Sequence, residues 1–144
     1  MAALTHSRVE QFLTALATRD PDLIEPFLDE NVDWLVTGPV EVFPYCGQRV
    51  GKAAVRAAYE QMKMRLETVK VVRDYLVVEN DLAAALTRLT LMHKPRGRQL
   101  NVRLSHFARF RNGVVVEYCA IIDSLGAVEQ VLGHTLDFAT LAPA

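Results

Sequence analysis

The apolar positions of this chain change period partway along it. From Ser7 to Thr18, Val9, Phe12, Leu13 and Leu16 fall at helical spacing and predict an amphipathic helix. Ser7 is a candidate N-cap, with Glu10 three residues on to complete a capping box. In "RDPDLIEPFLDEN", Asp20 is placed to cap a short second helix opened by Pro21, where a missing N–H costs nothing. Pro26 keeps that helix short or bent. "VDWLVTG" reads as extended, with Val32, Trp34 and Val36 on one face. "GPVEVFPYCGQRVG" reads as a loop from its Gly and Pro content. A third helix is predicted from about Lys52 to Glu67, with Val55, Tyr59, Met62 and Leu66 along one stripe.

After that helix the period drops to two. Four strand-like runs follow: Val69–Glu79, Leu82–His93, Gln99–Arg111 and Val114–Asp123. The joints Glu79-Asn80-Asp81, Pro95-Arg96-Gly97 and Arg111-Asn112-Gly113 are hairpin signals. "SLGAVEQVLG" opens a last helix or tail. Helices followed by an antiparallel meander predict an α+β fold, a long curved sheet with helices on one face and a cavity between the layers. One strand breaks its own pattern. In "VRLSHFARF", His106 shares the parity of Val102, Leu104, Ala108 and Phe110, so it points with the apolar set.

A chain of 144 residues, 51% of them hydrophobic, is long enough for one domain with a substantial core, and we assign the span 1–144 to it. A net charge of −1 offers nucleic acid and anionic membrane no basic face, so neither is expected as a partner. The densest basic run, "HKPRGR", reads as a solvated hairpin tip with His93 exposed at its mouth. No apolar run approaches the ~18 residues that span a bilayer, and the N-terminus lacks a signal-peptide layout. Cys46 and Cys119 show no metal-ligand or redox spacing and read as small buried hydrophobes in a reducing compartment. The expectation is a cytoplasmic protein with no metal and no cofactor.

Three segments carry a resemblance to known proteins. "FLTALATRDPDLIEPFLDENVDW" looks like the opening helices of the nuclear-transport-factor-2-like superfamily, "CGQRVGKAAVRAAYEQM" resembles its glycine-led third helix, and "FARFRNGVVVEYCAIIDSLGAVEQVLG" resembles its closing hairpin and tail. The resemblance is to the SnoaL-like and ketosteroid-isomerase-like branch. It implies a cone-shaped fold, with N-terminal helices packed on a curved, mostly antiparallel sheet around a pocket. It also implies a homodimer formed through the outer face of the sheet. It does not carry chemistry across, because this scaffold hosts unrelated functions. Phe12 falls where ketosteroid isomerases keep a tyrosine, Val36 where they keep the base, and His106 where they keep a protonated acid. Against the epoxide hydrolases, Arg88 matches, but Thr90 and Ala120 stand where carboxylates are needed.

Strand parity and the resemblance together give an expected lining of Trp34, Val36, Tyr59, Met62, Arg88, Thr90, His106, Tyr118, Ala120 and Ile122. Apolar walls with a few converging polar groups suit a hydrophobic small molecule. His106 is the candidate acid or base, its charged form disfavoured among apolar neighbours. Arg88 is the candidate for orienting an anionic or carbonyl oxygen; buried, it needs a ligand carboxylate or a protein acid such as Asp123, Asp33 or Glu117. Asp123 reads as a cap for the tail helix or an arginine partner. Two functions fit: a metal-free acid–base enzyme of the isomerase, hydrolase or cyclase type, or a non-catalytic ligand-binding or dimeric assembly domain.

Overall fold

The computed structural model describes residues 3–139, so both ends of the predicted domain, 1–2 and 140–144, lie outside the described residues. Helix α1 spans His6–Thr18 and α2 spans Pro21–Ile24. Strands β1 (Leu28–Val36) and β2 (Gly47–Val50) precede α3 (Lys52–Arg65). Then come β3 (Leu66–Glu79), β4 (Leu82–His93), β5 (Arg98–Arg111), β6 (Val114–Ile122) and α4 (Ser124–Leu132). The caps follow side-chain chemistry. Asp20 caps α2 by accepting from the Asp22 N–H, and Asp123 caps α4 by accepting from the Gly126 N–H. At α1 the cap is Thr5, not Ser7: its hydroxyl accepts from the Arg8 N–H, which starts the helix at His6 and leaves no capping box with Glu10.

The sheet has the order β2-β1-β6-β5-β4-β3. The meander is antiparallel as expected, but β6 closes it by pairing parallel to β1. The predicted loop before α3 also contributes β2, which pairs antiparallel to β1. The helices cover one face. Thr68 in β3 donates to the Ala17 carbonyl of α1 over 2.7 Å, and Gln130 of α4 exchanges two hydrogen bonds with the Asn101 backbone of β5. Phe12, Trp34, Val55 and Val115, all essentially inaccessible to solvent, centre the core between the layers.

Two irregularities in β3 decide what faces the core. The β3–β4 register slips between Thr68 and Lys70, and again between Arg73 and Tyr75. A bulge inserts one residue and reverses side-chain parity beyond it. Here Val71 and Arg73 turn inward before the second slip, while Leu76 and Val78 pack on the core after it. In β4 the inward row is Ala83, Ala85, Thr87, Leu89, Leu91 and His93. His93 is therefore buried, with only 7% of its surface exposed, and not solvated at the hairpin mouth as predicted. The hairpin tip turns beyond it at Lys94–Arg96.

Candidate functional site

Between the helices and the inner face of the sheet lies a cavity of about 100 Å³. Six of the predicted site residues line it: Tyr59, Met62, His106, Tyr118, Ala120 and Ile122. Val36 lines it as well. Trp34 does not. It lies behind the wall, its ring stacked on Tyr118 with centroids 3.9 Å apart. Phe12 is also behind the wall, edge-on to Tyr118, so its ring supports the lining and does not face the cavity.

Arg88 and Thr90 are corrected outright. Both point to the outer face of the sheet, where Arg88 makes a two-pronged ion pair with Asp74 (2.9 Å for both bonds) and Thr90 bonds the Asn101 side chain. The Arg88 side chain is 58% exposed. The reason is that β4 is apolar on both faces: Ala84, Leu86 and Met92 share the outer row with Arg88, so hydropathy does not reveal which parity is inward. The acid that pairs with Arg88 is none of the three expected; it is Asp74, carried outward at the β3 bulge.

Two other arginines face the cavity, Arg19 and Arg73. Each arrives through unusual backbone. Arg19 is the C-cap of α1 with φ 61°, a left-handed conformation that favours glycine and costs a side-chain-bearing residue about 1–2 kcal/mol. Among the described residues the other non-glycine positions of this kind are Asn80 and Asn112, both in hairpin turns that asparagine tolerates. Arg73 is aimed inward by the bulge that sends Asp74 outward. Among the described residues neither arginine has a carboxylate partner, and the buried Nε of each lacks a hydrogen-bond acceptor. Arg19 reaches only the Met62 sulfur, 3.4 Å away. A buried donor left unmade costs about 1–3 kcal/mol. The Tyr45 hydroxyl, on the loop before β2, is a further cavity group with no partner among the described residues.

His106 Nδ1 lies 2.5 Å from the Tyr118 hydroxyl. Burial, reinforced by the positive charge of Arg19 and then Arg73, pulls the imidazole pKa down to about 3, so the ring is neutral at physiological pH. Burial pushes the Tyr118 phenol well above its ordinary value, so it keeps its proton. Tyr118 has no other acceptor among the described residues, so its O–H donates to Nδ1, and the remaining imidazole proton is on Nε2. The site therefore offers N–H and O–H donors from His106, Arg19, Arg73 and Tyr45, and among the described residues no carboxylate lines it. Burial also raises the Cys46 thiol to about 11 and the Tyr59 phenol to about 12, so neither supplies a base at neutral pH. The arrangement can bind and polarise an acceptor oxygen.

Sequence reasoning passed over both arginines. For Arg73 a signal existed: in "VVRDY" two adjacent charges cannot both face outward from a regular strand, so one of them faces the core. For Arg19 the signal was positional, at the joint where α1 must end before the Asp20-Pro21 start of α2.

A helix-covered curved sheet around a polar-tipped cavity is the nuclear-transport-factor-2-like architecture. The SnoaL-like domain profile matches residues 9–118, and the chain belongs to that family. A structure of a candidate isomerase from Rhodopseudomonas palustris is 30% identical, with a TM-score of 0.84 over 91% of this chain and 100% of that one. An epoxide hydrolase of the LEH-like type from M. tuberculosis aligns with a TM-score of 0.70 at 15% identity, over 88% of each chain. A protein of ketosteroid-isomerase-like fold from Catenulispora acidiphila, in complex with trimethylamine, gives a TM-score of 0.74 at 12% identity, over 97% of this chain and 100% of that one. The latter two share the fold alone. No functionally curated sequence matches the chain. Among the described residues no helix is long and apolar enough to cross a membrane.

Proposed function

We propose that this protein binds a small hydrophobic molecule in the cone cavity, with the ligand's polar end against the His106 and Tyr118 pair. The observation that carries this reading is the composition of the cavity: mostly apolar walls that also carry unsatisfied donors from Arg19, Arg73 and Tyr45. A volume of about 100 Å³ is small beside the ~300–1,000 Å³ of drug-sized sites, which favours a ligand of about one ring. Trp34, the single tryptophan, stacks on the cavity wall and supplies an optical probe. Titration with a panel of single-ring aromatic and alicyclic alcohols, amides and acids is expected to change Trp34 emission and raise the melting temperature. Ala120→Leu, which fills the cavity, is expected to abolish both responses, while Arg88→Ala on the outer face leaves them intact. A wild type that answers to no panel member, or an Ala120→Leu variant that responds like wild type, ends this reading.

A second reading, a metal-free enzyme of the isomerase, hydrolase or cyclase type, is favoured by one detail. A neutral Nε2–H beside two guanidinium groups suits stabilisation of a developing oxyanion. In that reading His106 is an electrophile, because an imidazole with a pKa of about 3 is a poor general base at neutral pH.

The proposal extends to a homodimer through the outer sheet face. Leu35, Cys119, Phe107, Ala84 and Val77 are register partners across five strands, forming an apolar row. Phe107 and Val77 are exposed, as are Ile121 and Tyr75 in the next row. Patches of this kind mark interfaces. Sedimentation is expected to give a dimer for wild type and a monomer for Phe107→Glu; a monomeric wild type refutes the interface.

A further inference from the structure

Granted that the cavity binds a small molecule, we infer that the ligand is an anion, a single-ring or short branched carboxylate whose two oxygens are held by Arg19 and Arg73. Among the described residues the lining is mostly apolar and holds no carboxylate, and both Arg19 and Arg73 lie near enough to His106 to act on its charge. The two arginines line the cavity from opposite layers, one at the end of α1 and one in β3. Each has a buried Nε with no acceptor, and the nearby Tyr45 hydroxyl is likewise unmet. Arg49 also has a buried Nε without an acceptor, but it lies outside the cavity and donates to the Pro44 carbonyl; three further arginines are ion-paired. Arg56 is met by Asp22, Glu25 and Glu60, Arg88 by Asp74, and Arg109 by Asp81 and Glu117. Asp20, next to Arg19 in the chain, is turned to Lys63 instead. Asp74, next to Arg73, is turned to Arg88.

A guanidinium matches a carboxylate in shape as well as charge, since its planar fork donates two parallel hydrogen bonds. Two of them converging from different layers can engage both oxygens of one carboxylate, with the Tyr45 hydroxyl and His106 Nε2–H left to donate to the same group. The apolar remainder of the cavity, including Leu89, Val102 and Ile122, then takes the hydrocarbon part. The backbone supports a dedicated role. A left-handed conformation at Arg19, which costs stability, and a β-bulge beside Arg73 accompany the turn of both side chains into the same cavity.

The test is a matched pair of probes, benzoate with benzamide and cyclohexanecarboxylate with cyclohexanecarboxamide, titrated at low ionic strength by calorimetry and by Trp34 emission. Wild type is expected to bind each acid about tenfold or more tighter than its amide. Arg73→Gln and Arg19→Gln are each expected to erase most of that preference, weakening the acids far more than the amides. Arg73→Lys, which keeps the charge but loses the fork, is expected to restore part of it. A cooperative thermal melt and unaltered Trp34 emission of the free variant show that it still folds around the cavity. Equal binding of acid and amide by wild type overturns the anion inference and leaves the small-molecule reading standing. An acid preference that survives both Arg→Gln changes also overturns it. If none of the four probes binds, the anion inference falls, and the small-molecule reading is decided by the wider panel.

Discussion

Wild-type protein is expected to lose about 3 kcal/mol more stability than His106→Gln when the pH is lowered from neutrality to around 4. The sign follows from where the proton goes. Folding takes the imidazole out of water and sets Arg19 and Arg73 near it, so the pKa falls from 6.5 to about 3. Between those values the unfolded chain binds a proton that the folded chain refuses. Stability present above pH 6.5 is therefore lost progressively as the pH falls toward 3, and no further below it, at about 1.4 kcal/mol per unit. Glutamine does not titrate, and its amide can still accept the Tyr118 hydroxyl. Acid also weakens ion pairs such as Asp74 with Arg88, whose carboxyl is held below its ordinary range, but that loss is common to both proteins. Urea titrations of both across this range give the comparison, and the gap between them should narrow on acidification. Parallel curves would show that His106 is not a buried neutral imidazole.

Phe12→Ala is expected to cost about 3–5 kcal/mol, a large share of the ~5–15 kcal/mol that holds a domain of this size together. Phe12 is fully buried and meets Phe27, Trp34, Phe110 and Tyr118 at ring-centroid distances of 5.7–6.3 Å. Three of these four contacts are edge-on, the geometry in which ring edges meet the negative faces of their neighbours. Removing the ring opens a void between α1 and the sheet and unseats Tyr118, which in turn holds His106. The urea midpoint should fall with little change in slope, and Trp34 emission should shift to the red as water reaches the stack. Phe12→Leu, which keeps most of the volume, is expected to lose much less. A cost near zero for Phe12→Ala would mean that the neighbouring rings collapse into the space.

How legible the chain was depended on how each strand divides its polar groups. In β5 the outward positions hold Arg103, Ser105 and Arg109, so the inward row was readable and His106 was correctly put on the cavity side. In β4 both rows are mostly apolar, and the reading of Arg88 and Thr90 took the wrong face. His93 failed for a related reason: a basic hairpin was taken to imply exposure, yet its parity is that of Leu89 and Leu91. Trp34 was placed on the right face of β1, but a face does not say which of its residues touch the cavity and which lie behind another ring.

Local sequence settled what local physics controls. Helical spacing, two of the three tested caps, the hairpin turns at Asn80 and Asn112, and the α+β order of elements all follow from interactions within a few residues. The resemblance added the SnoaL-like family and its cone. The donor cluster was decided elsewhere. A bulge exists only when a second strand supplies a register to slip against, and Arg73 acquires its direction from that slip. Arg19 faces the cavity because α1 must stop where α2 begins against α3, which leaves one residue in a left-handed turn. Neither arginine is near the other, or near His106, along the chain. Their convergence without a counter-charge is a property of the packed layers, which bury groups far apart in sequence at one place.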